Sequence, residues 1–109
     1  MAKKGVEASS GNVFTDLGLA DAQELETKAE LAHRIGEIIQ GRHLTQAEAA
    51  AVLGATQPIV SKLMNGQLSG FSLERLVRFL NALDRDVEIV VRRRPRSRNR
   101  GRTSVKVAG

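Results

Sequence analysis

The fold is decided by one stretch of the chain, QAEAAAVLGATQPIVSKLMN, residues 46–65. Its small and apolar residues are spaced as two short helices joined by a tight turn, and two such helices cross at roughly 90–120°. Gly54 falls at the turn, where a backbone with positive φ excludes most side chains. Gln57, Ser61 and Lys62 are left on the outer face of the second helix. The stretch therefore predicts a helix-turn-helix, a motif that binds DNA.

Capping residues and apolar periodicity predict a long helix before this motif. Asp21 and Glu24 form an Asp variant of the capping box, which opens the helix, and Gly41 supplies its stop. Apolar residues recur at helical spacing between these points and predict a buried face. That face comprises Leu25, Ala29, Ala32, Ile35 and Ile39, joined by Leu31 and Ile38.

Three further helices are predicted by their N-terminal caps. Thr45 and Glu48 make a second capping box, and Thr56 caps the next helix, which has Pro58 in its first turn. Ser72 can cap a fourth helix. We expect Arg75 and Arg78 of that helix to face outward, and its buried face to comprise Leu73, Leu76, Val77, Leu80 and Leu83.

Length and composition predict one soluble domain. A chain of 109 residues suffices for a single compact domain with a modest core. It has no cysteine, which fits a reducing compartment, and no apolar run near the roughly 20 residues that cross a bilayer. We therefore expect a cytoplasmic protein in three parts: flexible residues 1–12, a domain over residues 13–91 and a basic disordered tail over residues 92–109.

The positive charge lies in the predicted tail. The formal net charge is +5, yet residues 1–91 hold nine Lys/Arg against twelve Asp/Glu. Residues 92–109 hold eight basic residues and no acidic one. Within the domain, residues 42–81 are the only basic part, with a net charge of +2. Charge therefore favours DNA binding at the helix-turn-helix only weakly.

The tail itself has a composition that cannot build a core. Seven arginines between residues 92 and 102 are interspersed with proline, glycine, serine and asparagine. The segment is either a solvated tail without a role, or an electrostatic arm that contacts phosphates regardless of base sequence. In both cases we expect it to lie outside the folded domain.

A small apolar cluster precedes the first predicted helix. Val13, Phe14, Leu17 and Leu19 are close together in a polar surrounding and must dock on something. They either pack against the helices of this chain or form an arm that binds a partner.

A change of pattern after the fourth helix predicts one strand. Residues 87–91, VEIVV, are rich in β-branched residues, and Val87, Ile89 and Val91 share one side. A lone strand cannot satisfy its own backbone groups, so it needs a partner. The economical partner is the same strand of a second protomer, paired antiparallel across the two-fold axis that palindromic DNA requires. Pairing with the segment 13–19, or with the sheet of another protein, stays open.

Residues for catalysis are not apparent. His33 and His43 are ten residues apart on either side of a predicted helix end, and no carboxylate has the spacing of a metal site or catalytic pair. No glycine pattern of a phosphate-binding loop is present. We therefore expect a protein that is not an enzyme and that has no cofactor or metal.

The residues needed to read DNA are present. A recognition helix enters the major groove with its N-terminal residues facing base edges, and Gln57, Ser61 and Lys62 occupy those positions. Glutamine pairs bidentately with adenine, serine with either kind of base edge, and lysine with guanine or a phosphate. Gln46 and Thr56 lie at helix N-termini, which attract phosphate. The alternative for each is a capping or solvated role. The predicted DNA-binding residues are Gln46, Thr56, Gln57, Ser61, Lys62 and, as weaker candidates for phosphate contact, Arg42 and Asn65.

At this point the motif has a known counterpart. Residues 44–50, LTQAEAA, and 53–63, LGATQPIVSKL, resemble the DNA-binding domain of the Cro/C1 (XRE) family of bacterial and phage regulators. Ala50, Gly54 and Gln57 stand where that family expects a small residue, the turn and the start of the recognition helix. The resemblance implies an all-α, four- to five-helix domain with one short C-terminal strand and disordered termini.

The flanks resemble a narrower group, the HigA-type antitoxins of type II toxin–antitoxin modules. The similarity rests on residues 12–19, NVFTDLGL, and on residues 87–91, and it covers roughly residues 11–92. It implies a bacterial homodimer that binds palindromic double-stranded DNA, represses its own operon and neutralises a RelE-like ribonuclease toxin. The arginine-rich tail departs from this pattern. The alternatives are a stand-alone phage- or plasmid-type XRE regulator without a toxin, and an interaction or RNA-binding module dominated by the tail.

Overall fold

The computed structural model describes residues 11–108, with side chains from residue 21 onward. Four helices follow one another: α1 (Gly11–Gly41), α2 (Gln46–Leu53), α3 (Gln57–Met64) and α4 (Leu73–Ala82). No strand forms within the described ranges, and the predicted all-α helix-turn-helix class is confirmed. No helix there is long and apolar enough to span a bilayer.

One core joins all four helices. α1 packs on α3 and α4, and α2 packs on the same two helices. The core forms at these crossings because each helix directs its apolar stripe inward. The side chains at its centre are Ile35, Val60, Leu76 and Leu83. Around them lie Leu31, Ala32, Ile38, Ile39, Ala49, Ala50, Leu53, Leu63, Leu68, Phe71, Phe79 and Leu80.

The buried face of α1 is shorter than its apolar pattern predicted. Residues 31–39 supply its buried apolar side chains, whereas Leu25 is 57% exposed and Ala29 is exposed too. The cause is length: 31 residues give a helix of roughly 46 Å, and α2, α3 and α4 span only roughly 12–15 Å each. The N-terminal part of α1 therefore extends beyond the helices that could cover it.

The predicted start of α1 at Asp21 is wrong. The helix already includes Gly11, and Glu24 pairs with Lys28 at 3.2 Å across one turn. No proline interrupts residues 11–21, so the helix can continue through a residue that would also suit a cap. Residues 1–10 and the side chains of Val13, Phe14, Leu17 and Leu19 lie outside the described residues.

The predicted caps of α2 and α4 are confirmed. The Thr45 hydroxyl accepts the Glu48 N–H at 3.1 Å, and the Glu48 carboxylate accepts the Thr45 N–H at 2.8 Å. The Ser72 hydroxyl accepts the N–H of Arg75 at 3.1 Å. Each bond satisfies an amide that the first turn of a helix leaves without a carbonyl.

Arg75 does not face fully outward as predicted. Its guanidinium carbon lies 5.3 Å from the ring centre of Phe71 and 5.4 Å from that of Phe79, which is a cation–π arrangement. Arg78 is exposed, as predicted, and pairs with Glu74 at 3.2 Å. A helical period gives the direction of Arg75, but only the tertiary fold brings both rings beneath it.

The predicted strand over residues 87–91 is not shown. A strand needs a neighbour to receive its backbone hydrogen bonds, and the described part of a single chain supplies none. Val87 packs half-buried against the core, whereas Ile89 and Val91 are 83% and 91% exposed. The apolar side that a second strand would cover is therefore open.

The tail makes one contact that composition did not predict. Residues 92–108 form no helix or strand, but a turn closes where the Arg98 N–H donates to the Pro95 carbonyl at 3.1 Å. Further along, Val105 packs half-buried against the core. The segment thus returns to the domain.

The turn glycine allows a direct test of this fold. Gly54 has φ +66°, and a Cβ placed there would meet nothing within 4 Å, so the cost of Gly54→Ala is purely conformational. We expect this variant to lose about 1–2 kcal/mol of unfolding free energy in urea. Gly41→Ala is the matched control, because Gly41 is equally open but has no positive φ. We expect the control to be unchanged or slightly more stable, and equal losses in both variants would contradict the assigned turn.

Candidate nucleic-acid interface

The turn between α2 and α3 is built by a left-handed glycine followed by a new cap. The Gly54 N–H donates to the Ala51 carbonyl at 3.4 Å, and the Ala55 N–H donates to the Ala50 carbonyl at 2.9 Å, which closes the end of α2. One residue later, the Thr56 hydroxyl accepts the Ile59 N–H at 3.4 Å and opens α3. The predicted turn and the predicted cap of α3 are both confirmed.

The inner face of α3 fixes its orientation on the domain. Val60 is fully buried and Leu63 nearly so, while Ile59 and Met64 pack at the edge of the core. Met64 also lies close to Gly36 of α1, with its Sδ 3.7 Å from where a Cβ would stand. Because these contacts hold one side of α3 inward, the other side is presented to the surroundings.

That outer side is a continuous polar arc. At 100° per residue, five residues fall within an arc of roughly 140°: four residues of α3 and the C-cap residue that follows the helix. Ser61 is half-buried and the other four are exposed. The structure thus brings together four of the predicted DNA-binding residues. The fifth residue of the arc, Pro58, was predicted to lie in the first turn of the helix but not to bind DNA. The arc comprises Gln57, Ser61, Asn65, Pro58 and Lys62.

Pro58 is the residue that sequence reasoning missed. It lies on the arc between Gln57 and Lys62 and is exposed. Its ring gives the arc an apolar surface, of the kind that contacts a thymine methyl group in the major groove. The sequence contains the signal, because a residue that follows Gln57 in a helix must share the outer face when Val60 and Leu63 are buried.

Two predicted phosphate contacts lie at helix N-termini, as expected. Gln46 is the first residue of α2 and is exposed, and Thr56 is the exposed cap of α3. The Thr56 oxygen already accepts the Ile59 N–H, which leaves its own O–H as a donor for an outside acceptor. The first amides of each helix point out of its N-terminus, towards any anion placed there.

Arg42 also makes structural contacts. Its guanidinium donates to the Leu83 carbonyl at 2.6 Å and lies 3.3 Å from the Asp84 carboxylate. It therefore ties the end of α1 to the end of α4, and these bonds hold its side chain against the domain. Asn65 remains on the arc, where its side-chain amide lies 3.5 Å from the Ser61 hydroxyl.

The arc is polar but carries little charge. Lys62 is the only charged residue of α3, and Glu48 of the preceding helix is engaged in the cap of α2. Hydrogen-bond donors and acceptors therefore dominate this surface. Such a surface suits base edges, which are read by hydrogen bonds, better than it suits a run of phosphates.

Potential metal ligands do not cluster in the part of the chain that the structure describes. No group of three His, Cys, Asp or Glu that could hold a metal occurs there. His33 lies on the exposed side of α1, where its Nε2 is 3.5 Å from the Glu37 carboxylate. Fold and surface together define a helix-turn-helix protein whose third helix presents a mostly polar outer face.

Comparison with known proteins gives the family. Residues 13–92 match the model of a helix-turn-helix domain family. A solved structure named "Putative XRE Family Transcriptional Regulator" is 55% identical, with a TM-score of 0.78 over 81% of this chain and 99% of its own. The chain belongs to this helix-turn-helix family as an XRE-type DNA-binding regulator. Regulators of this kind are not enzymes.

A curated relative adds a narrower likeness. "Putative antitoxin HigA3" of Mycobacterium tuberculosis is 42% identical over 72 residues, which are 65% of this chain and 66% of the relative. The chain thus spans slightly less than two thirds of that relative's length. This relative confirms the similarity to HigA-type antitoxins that residues 12–19 and 87–91 predicted.

Proposed function

We propose that the chain is the antitoxin of a type II toxin–antitoxin module, a dimeric repressor that binds a palindromic operator of its own operon and neutralises a RelE-like ribonuclease toxin. The observation that carries the proposal is the polar arc of α3, held outward by buried Val60 and Leu63. The 42% identity to the HigA3 relative supports the antitoxin role.

In this proposal α3 reads bases in the major groove. Gln57 would pair with adenine, Ser61 with an adjoining base edge and Lys62 with guanine or a phosphate. Each good bidentate contact discriminates by about 1–3 kcal/mol. Gln46 and Thr56 would hold phosphates at the N-termini of α2 and α3 and so set the register of α3 on the duplex.

Phosphate affinity must come from outside the arc, since Lys62 is the only charged residue of α3. Besides Gln46 and Thr56, we assign it to two sources: a second protomer, which doubles every contact, and the basic segment 92–109. The second protomer would pair through residues 87–91, where Ile89 and Val91 are exposed. A two-fold dimer places its two α3 helices in successive major grooves about 34–36 Å apart, which a palindromic site matches.

Deleting residues 93–109 should weaken binding to operator and random DNA alike. The deletion removes seven of the eight basic residues after position 91, and the slope of log affinity against log salt should flatten by about 0.9 for each phosphate that the chain no longer neutralises. Replacing the six arginines of residues 93–102 by glutamine keeps the chain length and should reproduce the effect. An unchanged salt slope would mean that the segment does not touch DNA.

The antitoxin role is tested by purifying the tagged chain together with the product of the gene beside its own. We expect a stable complex in which the partner's ribonuclease activity is suppressed. The variant Gln57→Ala, Ser61→Ala should retain that complex, because the arc is assigned to DNA. A neighbouring product that neither binds nor loses activity would refute the antitoxin role and leave DNA binding untouched.

The second candidate function is that of a stand-alone XRE regulator. It is favoured by the 55% identical structure, which is named only as a transcriptional regulator and is covered over 99% of its length. Operator binding without any complex in the previous experiment is the result that selects it.

A further inference from the structure

A groove lies between the outer side of α1 and the chain's own C-terminal segment. The groove has a volume of about 320 Å³. Val105 and Val107 line it from one side, and Ala29 lies opposite on α1. Val105 is also half-buried against the core, whereas Val107 remains 58% exposed. The contact is therefore apolar and shallow, as in a segment that can come away.

Charge favours the same contact. The α1 side of the groove carries Glu26, Glu30 and Glu37 against Arg34. The segment beside it, residues 103–108, carries one positive charge, Lys106, and no acid, and the arginines of residues 92–102 precede it. Opposite charge draws the segment towards α1 over a distance of about one Debye length, and the two valines then fix its position.

The two ends of the arginine-rich stretch are thus both anchored. Val87 packs on the core before it and Val105 packs on the core after it. Residues 92–102 lie between these anchors and form a closed loop instead of a free tail. A loop held beside an acidic helix has fewer ways to reach a phosphate backbone than the same stretch released at one end.

We propose that residues 103–108 are a strap that docks on the outer face of α1 in the free protein, and that DNA releases it by competing for the arginines of residues 92–102. DNA is the stronger partner, because its phosphates present a higher density of negative charge than three glutamates of one helix. The inference rests on the proposed contact between the tail and DNA, which the salt slope above tests separately.

Docking is measured by paramagnetic broadening of amide signals. The chain has no cysteine, so Ser104→Cys gives a single site for a spin label on an exposed position beside Val105. In the free protein we expect the label to broaden the amides of residues 29–37. Saturation with a random-sequence duplex should restore those signals, while shifts of the α3 amides report that DNA has bound. Absence of broadening in the free protein, or its persistence on bound DNA, would overturn the proposal.

Two sets of substitutions test the anchor without changing charge. Val105→Ser with Val107→Ser should remove the broadening and leave the rest of the spectrum intact. The control, Thr103→Ser with Ala108→Ser, alters exposed residues that do not line the groove and should keep it. Broadening that survives the double valine change would refute the valines as the anchor.

The affinity for random DNA gives a second readout. A docked strap multiplies the apparent association constant by the fraction of molecules in which the strap is released. The double valine variant should therefore bind random duplex about threefold more tightly than the control. Equal or weaker binding would contradict competition. Mixing spin-labelled chain without ¹⁵N and unlabelled ¹⁵N chain shows whether docking crosses between protomers. Broadening in that mixture would overturn a strap within one chain.

Discussion

The double variant Gln57→Ala, Ser61→Ala is expected to lose its preference for the cognate operator while keeping its fold. Both residues lie on the arc of α3, and both are replaced by the residue with the highest helix propensity, so α3 should remain intact. The bidentate contact of Gln57 alone discriminates by about 1–3 kcal/mol, so the double variant should lose at least roughly fivefold of the preference in each half-site. Competition gel shifts with operator and scrambled duplex measure the ratio.

The control for this variant uses the same two residue types. Gln67→Ala with Ser69→Ala changes exposed residues in the loop after α3, outside the arc. If the substitutions remove a phosphate contact of that loop, binding to operator and to scrambled DNA should weaken equally. The ratio of the two affinities should therefore equal that of the unchanged chain. A double variant of the arc that still prefers the operator would refute α3 as the reading helix.

Replacing Ile89 by aspartate should convert the proposed dimer into monomers. The side chain is 83% exposed in the single chain, and the proposed strand pairing would bury it. Burying an isoleucine stabilises by about 1.5–3 kcal/mol, and a two-fold axis applies the change twice. The dimer dissociation constant should therefore rise by about 10²- to 10⁴-fold, and operator binding should weaken with it. Sedimentation velocity gives the oligomeric state.

Val90→Asp is the matched control for Ile89→Asp. Val90 is also exposed and receives the same charge one residue away, but an extended chain directs its side chain to the opposite side. We expect the Val90 variant to remain dimeric. An intact dimer of the Ile89 variant, or equal dissociation of both variants, would refute association through this strand.

The motif itself could be predicted because its determinants are local. A capping box needs only Thr45 and Glu48, and a left-handed turn needs only Gly54, so the sequence contains all the physical information. The same holds for the arc, since a helical period that buries Val60 and Leu63 must expose the positions opposite. All five arc residues follow from this argument, although Pro58 is not among the predicted DNA-binding residues.

The failures arise where a distant element decides. The apolar stripe of α1 predicted burial of Leu25 and Ala29, but periodicity carries no information on how far the facing helices extend. Arg42 binds the Leu83 carbonyl, 41 residues further along the chain, and local sequence does not predict that contact. Composition likewise did not predict that Val105 returns to the core.

The strand at residues 87–91 is a different case, because its partner is proposed to be another molecule. The β-branched pattern describes a segment that is suited to pairing. In a single chain the segment stays unpaired, with Ile89 and Val91 open. The pattern and the exposure point to the same prediction, and the Ile89 variant tests it.

The central claim is that α3 reads a defined base sequence next to the gene of this chain. The most direct test is the affinity of the purified chain for the DNA upstream of that gene, measured at physiological salt beside a scrambled duplex of equal length and composition. Specific complexes of this kind exceed non-specific ones by about 10³-fold or more, and we expect the upstream DNA to bind tighter by at least that factor. Equal affinity for the two duplexes would contradict the account.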